Sequence, residues 1–227
     1  MRIPLTKYGL PQVVIFPVAI LAAMIVGLIA GGLFLPRWVT FSIEGGLAVI
    51  LIWVLSFFRD PYRTVQPDSK VLLAPADGKI TDIETVREND FIRGPALRIG
   101  IFLSVFNVHI NRSPCNARVE KITYKKGKFK DARDPLAGQV NEANDLGLVR
   151  TDEPEDKLVV RQISGAIARR IVCRTGQGQK LAGGEKFGMI KFGSRTELYL
   201  PVRNNIKCLV KPGDTVKAGL SALIRYE

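Results

Sequence analysis

The chain has 227 residues and a formal net charge of +12, with 33 Lys and Arg against 21 Asp and Glu. Three cysteines, Cys115, Cys173 and Cys208, are odd in number and far apart. That excludes a disulfide-stapled secreted module and a cysteine-based metal site, and it fits a reducing compartment.

The first element in chain order is apolar. No charged residue occurs in residues 13–35, a run long enough to cross a hydrocarbon core that takes about 20 residues. A signal peptide would have a shorter core and a small-residue cleavage site, whereas here Pro36-Arg37-Trp38 follows and a second apolar run covers 41–58. Residues 1–58 are therefore expected to be an α-helical membrane hairpin, with Glu44 leaving open whether the second run spans or is re-entrant. Arg2 and Lys7 before the hairpin and Arg59, Arg63 and Lys70 after it outnumber the single Arg37 between the runs. This bias places both ends, and the domain that follows, on the cytoplasmic face of the cell membrane.

Residues 59–70 carry two prolines and alternating charges and read as a linker. From 71 to 227 the pattern is mainly β: segments 96–110, 157–163, 168–172, 187–192 and 197–200 are short, rich in β-branched and aromatic residues, and bounded by Gly, Pro, Asn or Asp. A compact barrel or sandwich-like catalytic domain is expected, with 134–145 as loop or one short helix. Two turns, Pro75-Ala76-Asp77-Gly78 and residues 210–219, place glycine beside an acid, as turns with positive φ require. Both resemble the turns of biotinyl- and lipoyl-carrier folds, but neither offers the lysine a carrier modifies, so the likeness is one of fold. The basic stretch 121–130 suits nucleic acid or an anionic bilayer; because the chain is already tethered, the bilayer is the expected partner and nucleic acid is not.

Three features can carry chemistry. The chain has one histidine, His109, so proton exchange near neutral pH without a large pKa shift falls to it. Alternation along the strand would put Asn107, His109 and Asn111 on one face. Gly193-Ser194 interrupts an apolar strand, either as an ordinary β-bulge or as a strained bend in which the serine oxygen attacks the preceding carbonyl. Asp77 is either a residue that holds its own turn or an acid that orients the imidazole.

Taken in order, Pro75-Ala76-Asp77-Gly78, the run from Phe106 through His109 to Pro114, the run from Gln162 to Ile171, and Phe187-Gly188-Met189-Ile190-Lys191-Phe192-Gly193-Ser194-Arg195 resemble the phosphatidylserine decarboxylase family in its short prokaryotic form. Phe57-Phe58-Arg59-Asp60-Pro61 looks like that form too, so the resemblance covers essentially the whole chain. It implies a proenzyme that cuts itself between Gly193 and Ser194 into a β chain of 1–193 and an α chain of 194–227, which stay together as a heterodimer. Ser194 would become a pyruvoyl group, with His109 as base and Asp77 as its orienting acid. The implied reaction is decarboxylation of phosphatidylserine to phosphatidylethanolamine in phospholipid biosynthesis, without metal or pyridoxal phosphate. Longer members often carry a second histidine where this chain has Arg112. A family Asn-Glu-Arg-Asn motif reads here as Asn141-Glu142-Ala143-Asn144, so Arg112 or Arg150 is the expected substitute for the missing cation. An archaetidylserine decarboxylase of the same mechanism, or a membrane-tethered carrier-like module without activity, stays open.

Overall fold

The computed structural model describes residues 4–66, 68–134, 136–166, 170–191 and 193–227, and it divides into two compact units that meet between Tyr62 and Arg63. The boundary falls inside the expected linker, and Arg63 already belongs to the second unit.

The first unit holds α1 (Gln12–Phe34) and α2 (Arg37–Phe57). At 1.5 Å per residue they reach about 34 and 31 Å, against a hydrocarbon core of about 30 Å. Both are long and apolar enough to cross a membrane. The second helix starts before the expected residue 41, because the Pro36 carbonyl accepts from the Val39 and Thr40 amides and starts the helix there. Gly27 and Gly31 lie one turn apart on α1, and Thr40 and Glu44 one turn apart on α2. A Cβ on Gly27 would come within 2.6 Å of Glu44 Oε1, and one on Gly31 within 2.6 Å of Thr40 Cγ2. Missing side chains on one helix thus make room for polar ones on the other, the small-residue packing typical of helices in lipid. Glu44 is buried at this contact, within an unbroken helix rather than at a re-entrant break.

The second unit is built from antiparallel strands. β1 (Val71–Leu73), β2 (Gly78–Glu88), β3 (Gly94–Leu103), β4 (Ile110–Arg112) and β5 (Ala117–Lys125) are followed by the one-turn α3 (Ala137–Val140). Then come β6 (Ala143–Arg150), β7 (Lys157–Ile163), β8 (Arg170–Cys173), β9 (Lys180–Leu181), β10 (Lys186–Lys191), β11 (Ser194–Pro201), β12 (Ile206–Cys208), β13 (Thr215–Val216) and β14 (Ala222–Tyr226). The main sheet runs β13-β2-β3-β11-β7-β6-β5-β9 and curls into a half barrel; β4-β10-β8 and β1-β14-β12 form two smaller sheets. Alternate residues of the large sheet, including Ile99, Ile101, Leu103, Leu146, Leu148, Val160, Leu198 and Leu200, fill its inner face and make the core.

The expected strand 96–110 is two strands. Asn107 Oδ1 accepts from the Ser104 amide at 2.9 Å and the Asn107 amide bonds Ser104 O at 2.8 Å, so the chain turns at Ser104 and resumes in another sheet. Asn107 is therefore used in a turn and does not share a strand face with His109 and Asn111, because a short amide side chain that caps its own backbone competes with the ladder. Residues 143–145, expected in a loop, begin β6, since their polar side chains find buried partners: Asn144 donates to Gln162 Oε1 at 3.1 Å and Asp145 takes Arg161 at 2.6 Å. Of the expected segments 168–172 and 187–192, residues 168, 169 and 192 lie outside the described residues.

Candidate active site

The chain changes sheets at Gly193. β10 belongs to the small β4-β10-β8 sheet and β11 to the centre of the large one, so the chain turns a corner between the two strands. Gly193 has φ +58°, the left-handed region that costs a residue with a Cβ about 1–2 kcal/mol. The backbone of Gly165 lies against its carbonyl: a Cβ on Gly165 would stand 2.3 Å from Gly193 O. Glycine is thus required at both places, by conformation in one and by close approach in the other.

Ser194 opens β11 opposite Leu103 of β3. Side chains alternate along a strand, so Ser194 and Thr196 share the inner face with Leu198 and Leu200, while Arg195, Glu197 and Tyr199 lie on the other. Ser194 is fully buried, and its hydroxyl has no hydrogen-bond partner among the described residues. A buried hydroxyl without a partner costs free energy, so this side chain is kept at some expense to stability. A cavity of 320 Å³ opens beside it, lined by Phe102, Ser104, Val105, Asp131, Ala132, Arg133, Ala166 and Gly193.

His109 is tied to the same corner. The loop that carries it leaves β3 at Leu103, opposite Ser194, and rejoins the protein where the Ile190 amide donates to His109 O at 3.3 Å. The loop's two ends are held on either side of the Gly193–Ser194 bond. Two residues further on, Asn111 Nδ2 donates to Thr196 Oγ1 at 3.1 Å. One strand period back towards the corner from each partner leads to His109 and to Ser194. His109 is completely buried, and its Nδ1 lies 2.9 Å from Asn107 O. A carbonyl only accepts, so Nδ1 carries the proton and the basic lone pair belongs to Nε2.

Asp77 has other partners. Arg63 Nη1 and Nη2 reach its two carboxylate oxygens at 2.6 and 2.7 Å, and the Ala218 amide donates to Oδ1 at 2.8 Å. It is thus neither a self-capping turn residue nor the hydrogen-bond partner of the His109 ring; the Asn107 carbonyl makes that bond. The Pro75-Ala76-Asp77-Gly78 turn still bears on the site, because Pro75 O accepts from the Arg112 amide at 3.0 Å and so aligns β4. Gly78 is required there: a Cβ on it would stand 2.1 Å from Phe102 O.

Arg150, one of the two expected substitute cations, is buried, bonds Pro154 O and Ser69 O at 2.8 and 2.5 Å, and lies over the Tyr226 ring. It is structural. Arg112 is also buried and donates to Gly184 O at 2.9 Å. The segment from Asn141 to Asn144 holds loops together: Asn141 Nδ2 bonds Lys130 O and Ser164 O, and Ser164 donates to Glu142 O. Sequence reasoning missed Arg63, assigned to a linker, and Gly165; a glycine after a strand-end serine was the only trace of the latter. Burial pushes the Cys115 thiol up to about 12, so it is no rival nucleophile. Among the described residues no cluster of His, Cys, Asp or Glu could hold a metal ion.

The chain thus joins a β unit, with a buried serine after a left-handed glycine and the lone histidine tied to the same corner, to two helices apolar enough to cross a membrane. The sequence profile of the family described as phosphatidylserine decarboxylase matches residues 50–223. The phosphatidylserine decarboxylase proenzyme of Carboxydothermus hydrogenoformans is 43% identical over 80% of this chain and 84% of its own length. That of Azorhizobium caulinodans is 39% identical over 99% of this chain and 90% of its own. The chain belongs to the phosphatidylserine decarboxylase family and is a decarboxylase.

Proposed function

We propose that the chain is a proenzyme that cuts itself between Gly193 and Ser194 and then decarboxylates phosphatidylserine to phosphatidylethanolamine in phospholipid biosynthesis. The observation that carries this is the buried Ser194 hydroxyl, without a hydrogen-bond partner among the described residues, following a glycine at φ +58°. In the first step His109 Nε2 takes the hydroxyl proton while Oγ bonds to the Gly193 carbonyl carbon. The C–N bond breaks, the nitrogen takes up the proton, and the amide has become an ester. Loss of the Ser194 α-proton then expels Gly193 as a carboxylate, leaving a dehydroalanine terminus. Water adds to its tautomer, ammonia leaves, and residue 194 is a pyruvoyl group.

The corner fits such a group: it is buried and one residue from the cavity. Its ketone would supply the sink for the electron pair released as carbon dioxide departs. The residues around it then have three tasks. The inner face of β11 excludes water, His109 Nε2 returns a proton to the product carbon, and Gly165 keeps the backbone at 193 in place. Asp77 is assigned an indirect orienting role, through the turn that aligns β4 and the charge it shares with Arg63.

The pairing pattern supports a stable complex of the products. β11 is hydrogen-bonded to β3 and β7, β13 to β2 and β14 to β1, so residues 194–227 are held by residues 1–193 at three places. The apolar helices and the cation bias around them support a membrane location with the catalytic unit on the cytoplasmic face. Denaturing electrophoresis with intact-mass measurement tests the proposal: a small fragment beginning with a pyruvoyl-blocked residue 194 is expected. An unbroken chain, or a fragment with a free serine amine, overturns it.

A further inference from the structure

The cavity beside Gly193 has two walls from loops far apart in sequence, Ser104 and Val105 on one side and Asp131, Ala132 and Arg133 on the other. The residues adjoining these walls along the chain are unusual for a protein surface. Phe106 is 71% exposed, Phe129 42% and Leu136 50%. Large apolar side chains projecting from loops around a cavity mouth mark an interaction surface. The charge around them is one-sided. Residues 121–134 hold six cations and two acids. Lys121 and Lys125 point elsewhere, paired with Asp90 in the β2–β3 turn and Asp145 on β6. Lys126 and Lys128 have no carboxylate partner among the described residues, and Lys130 is 4.0 Å from Asp134. The loop is not a loose tail: Lys128 N bonds Val140 O at 2.7 Å, Asn141 grips Lys130 through both its amide atoms, and the 130–134 turn is closed by the Asp134 amide on Asp131 O.

We infer that this rim, Phe106 on one side and Lys126, Lys128, Phe129 and Leu136 on the other, is a bilayer-contact surface of the second unit that docks on anionic lipid and sets the cavity mouth against the headgroup layer. Aromatic rings settle at the interface between headgroups and acyl chains, and each basic side chain near an anionic surface is worth roughly a fivefold gain in partition. The alternatives fit less well: a protein partner would leave the free lysines without a role, and a nucleic acid would leave the three apolar side chains without one. The inference deepens the assignment of a membrane lipid as substrate and rests on it. It gives that lipid a path in which the headgroup enters the cavity while the acyl chains stay in the bilayer.

The test uses the full chain in nanodiscs, with hydrogen exchange read by mass spectrometry. Replacing phosphatidylcholine by phosphatidylglycerol, which carries the negative charge but no serine, is expected to slow exchange at 104–108 and 126–136 several-fold. The Lys126→Gln/Lys128→Gln variant should lose that protection. In parallel, Phe106→Ser/Phe129→Ser/Leu136→Ser should lose about tenfold in turnover of phosphatidylserine in vesicles, in line with three lost interfacial side chains, and keep its turnover of a water-soluble short-chain phosphatidylserine. Equal exchange in the two lipids, or protection that follows protein concentration rather than lipid charge, overturns the inference. An uncut chain in the same sample would instead count against the self-cleaving proenzyme, so the two failures are distinguishable.

Discussion

The two sides of the Gly193–Ser194 bond are built very differently. Upstream, β10 lies in a sheet of three short strands. Downstream, β11 is flanked by β3 and β7 in the middle of the large sheet; all eight of its residues pair with β3, and seven of the eight are buried. Arg195 adds a clamp on the outer face, bonding Asp82 at 2.6 Å, Glu197 and Thr81 at 2.8 Å. A break in the backbone at the proposed bond would therefore separate the central strand of the small sheet from the centre of the large one, and β11 would stay in place through its own pairing.

Five changes break or sharpen this contrast. The largest effect is expected from Ser194→Ala, which removes the nucleophile: the chain should remain whole and inactive on a denaturing gel, with its melting temperature close to that of an uncut wild-type sample. His109→Ala should slow cleavage by about 10²–10⁴-fold, the range for loss of a positioned general base, measured from the time course of fragment appearance. Normal processing in this variant would remove His109 from its role. Gly165→Ala presses a methyl group on Gly193 O, and a displacement of about 1 Å is expected to cost on the order of 100-fold in cleavage rate. The matched control is Gly176→Ala, where a Cβ meets open space. Arg195→Leu acts on the other side of the bond. Breaking a buried ion network costs about 3–5 kcal/mol, so the variant should still be cut but melt lower and release its small fragment in milder urea.

The smallest expected effect lies upstream and depends on pH. Burial, together with the charges of Arg170 and Arg174, pushes Lys191 down to about 8 from its ordinary 10.5. Between those two values the unfolded chain binds more protons than the folded one, so stability should rise as pH goes from about 8 to about 10.5. Lys191→Met should flatten that rise in urea titrations taken across the window.

Much of this was legible in the sequence because it rests on local pattern. The two membrane-length helices and the β character of 71–227 follow from run length and alternation, whereas Ser194, Gly193 and His109 stood out as candidates through the Gly-Ser break, the single histidine and the family resemblance. What escaped depends on contacts between distant segments. Arg63 looked like linker because nothing local shows that Asp77 will meet it. Residues 143–145 looked like loop because Asn144 and Asp145 become strand only once Gln162 and Arg161 lie beside them. Gly165 looked ordinary because its constraint comes from a carbonyl 28 positions away. The orienting bond to the imidazole was assigned to a carboxylate, although the turn at Ser104 brings a backbone carbonyl there first.

The buried amide chain has one more consequence. Asn144 bonds Gln162, Gln162 bonds Asn111, and Asn111 bonds Thr196. Three of these four residues precede the corner and the fourth follows it. A relay of neutral side chains therefore ties the segments before the corner to the strand after it, and it carries no charge that salt could weaken. A chain cut at the proposed bond would have its new end located by these neighbours, without the peptide that had held it.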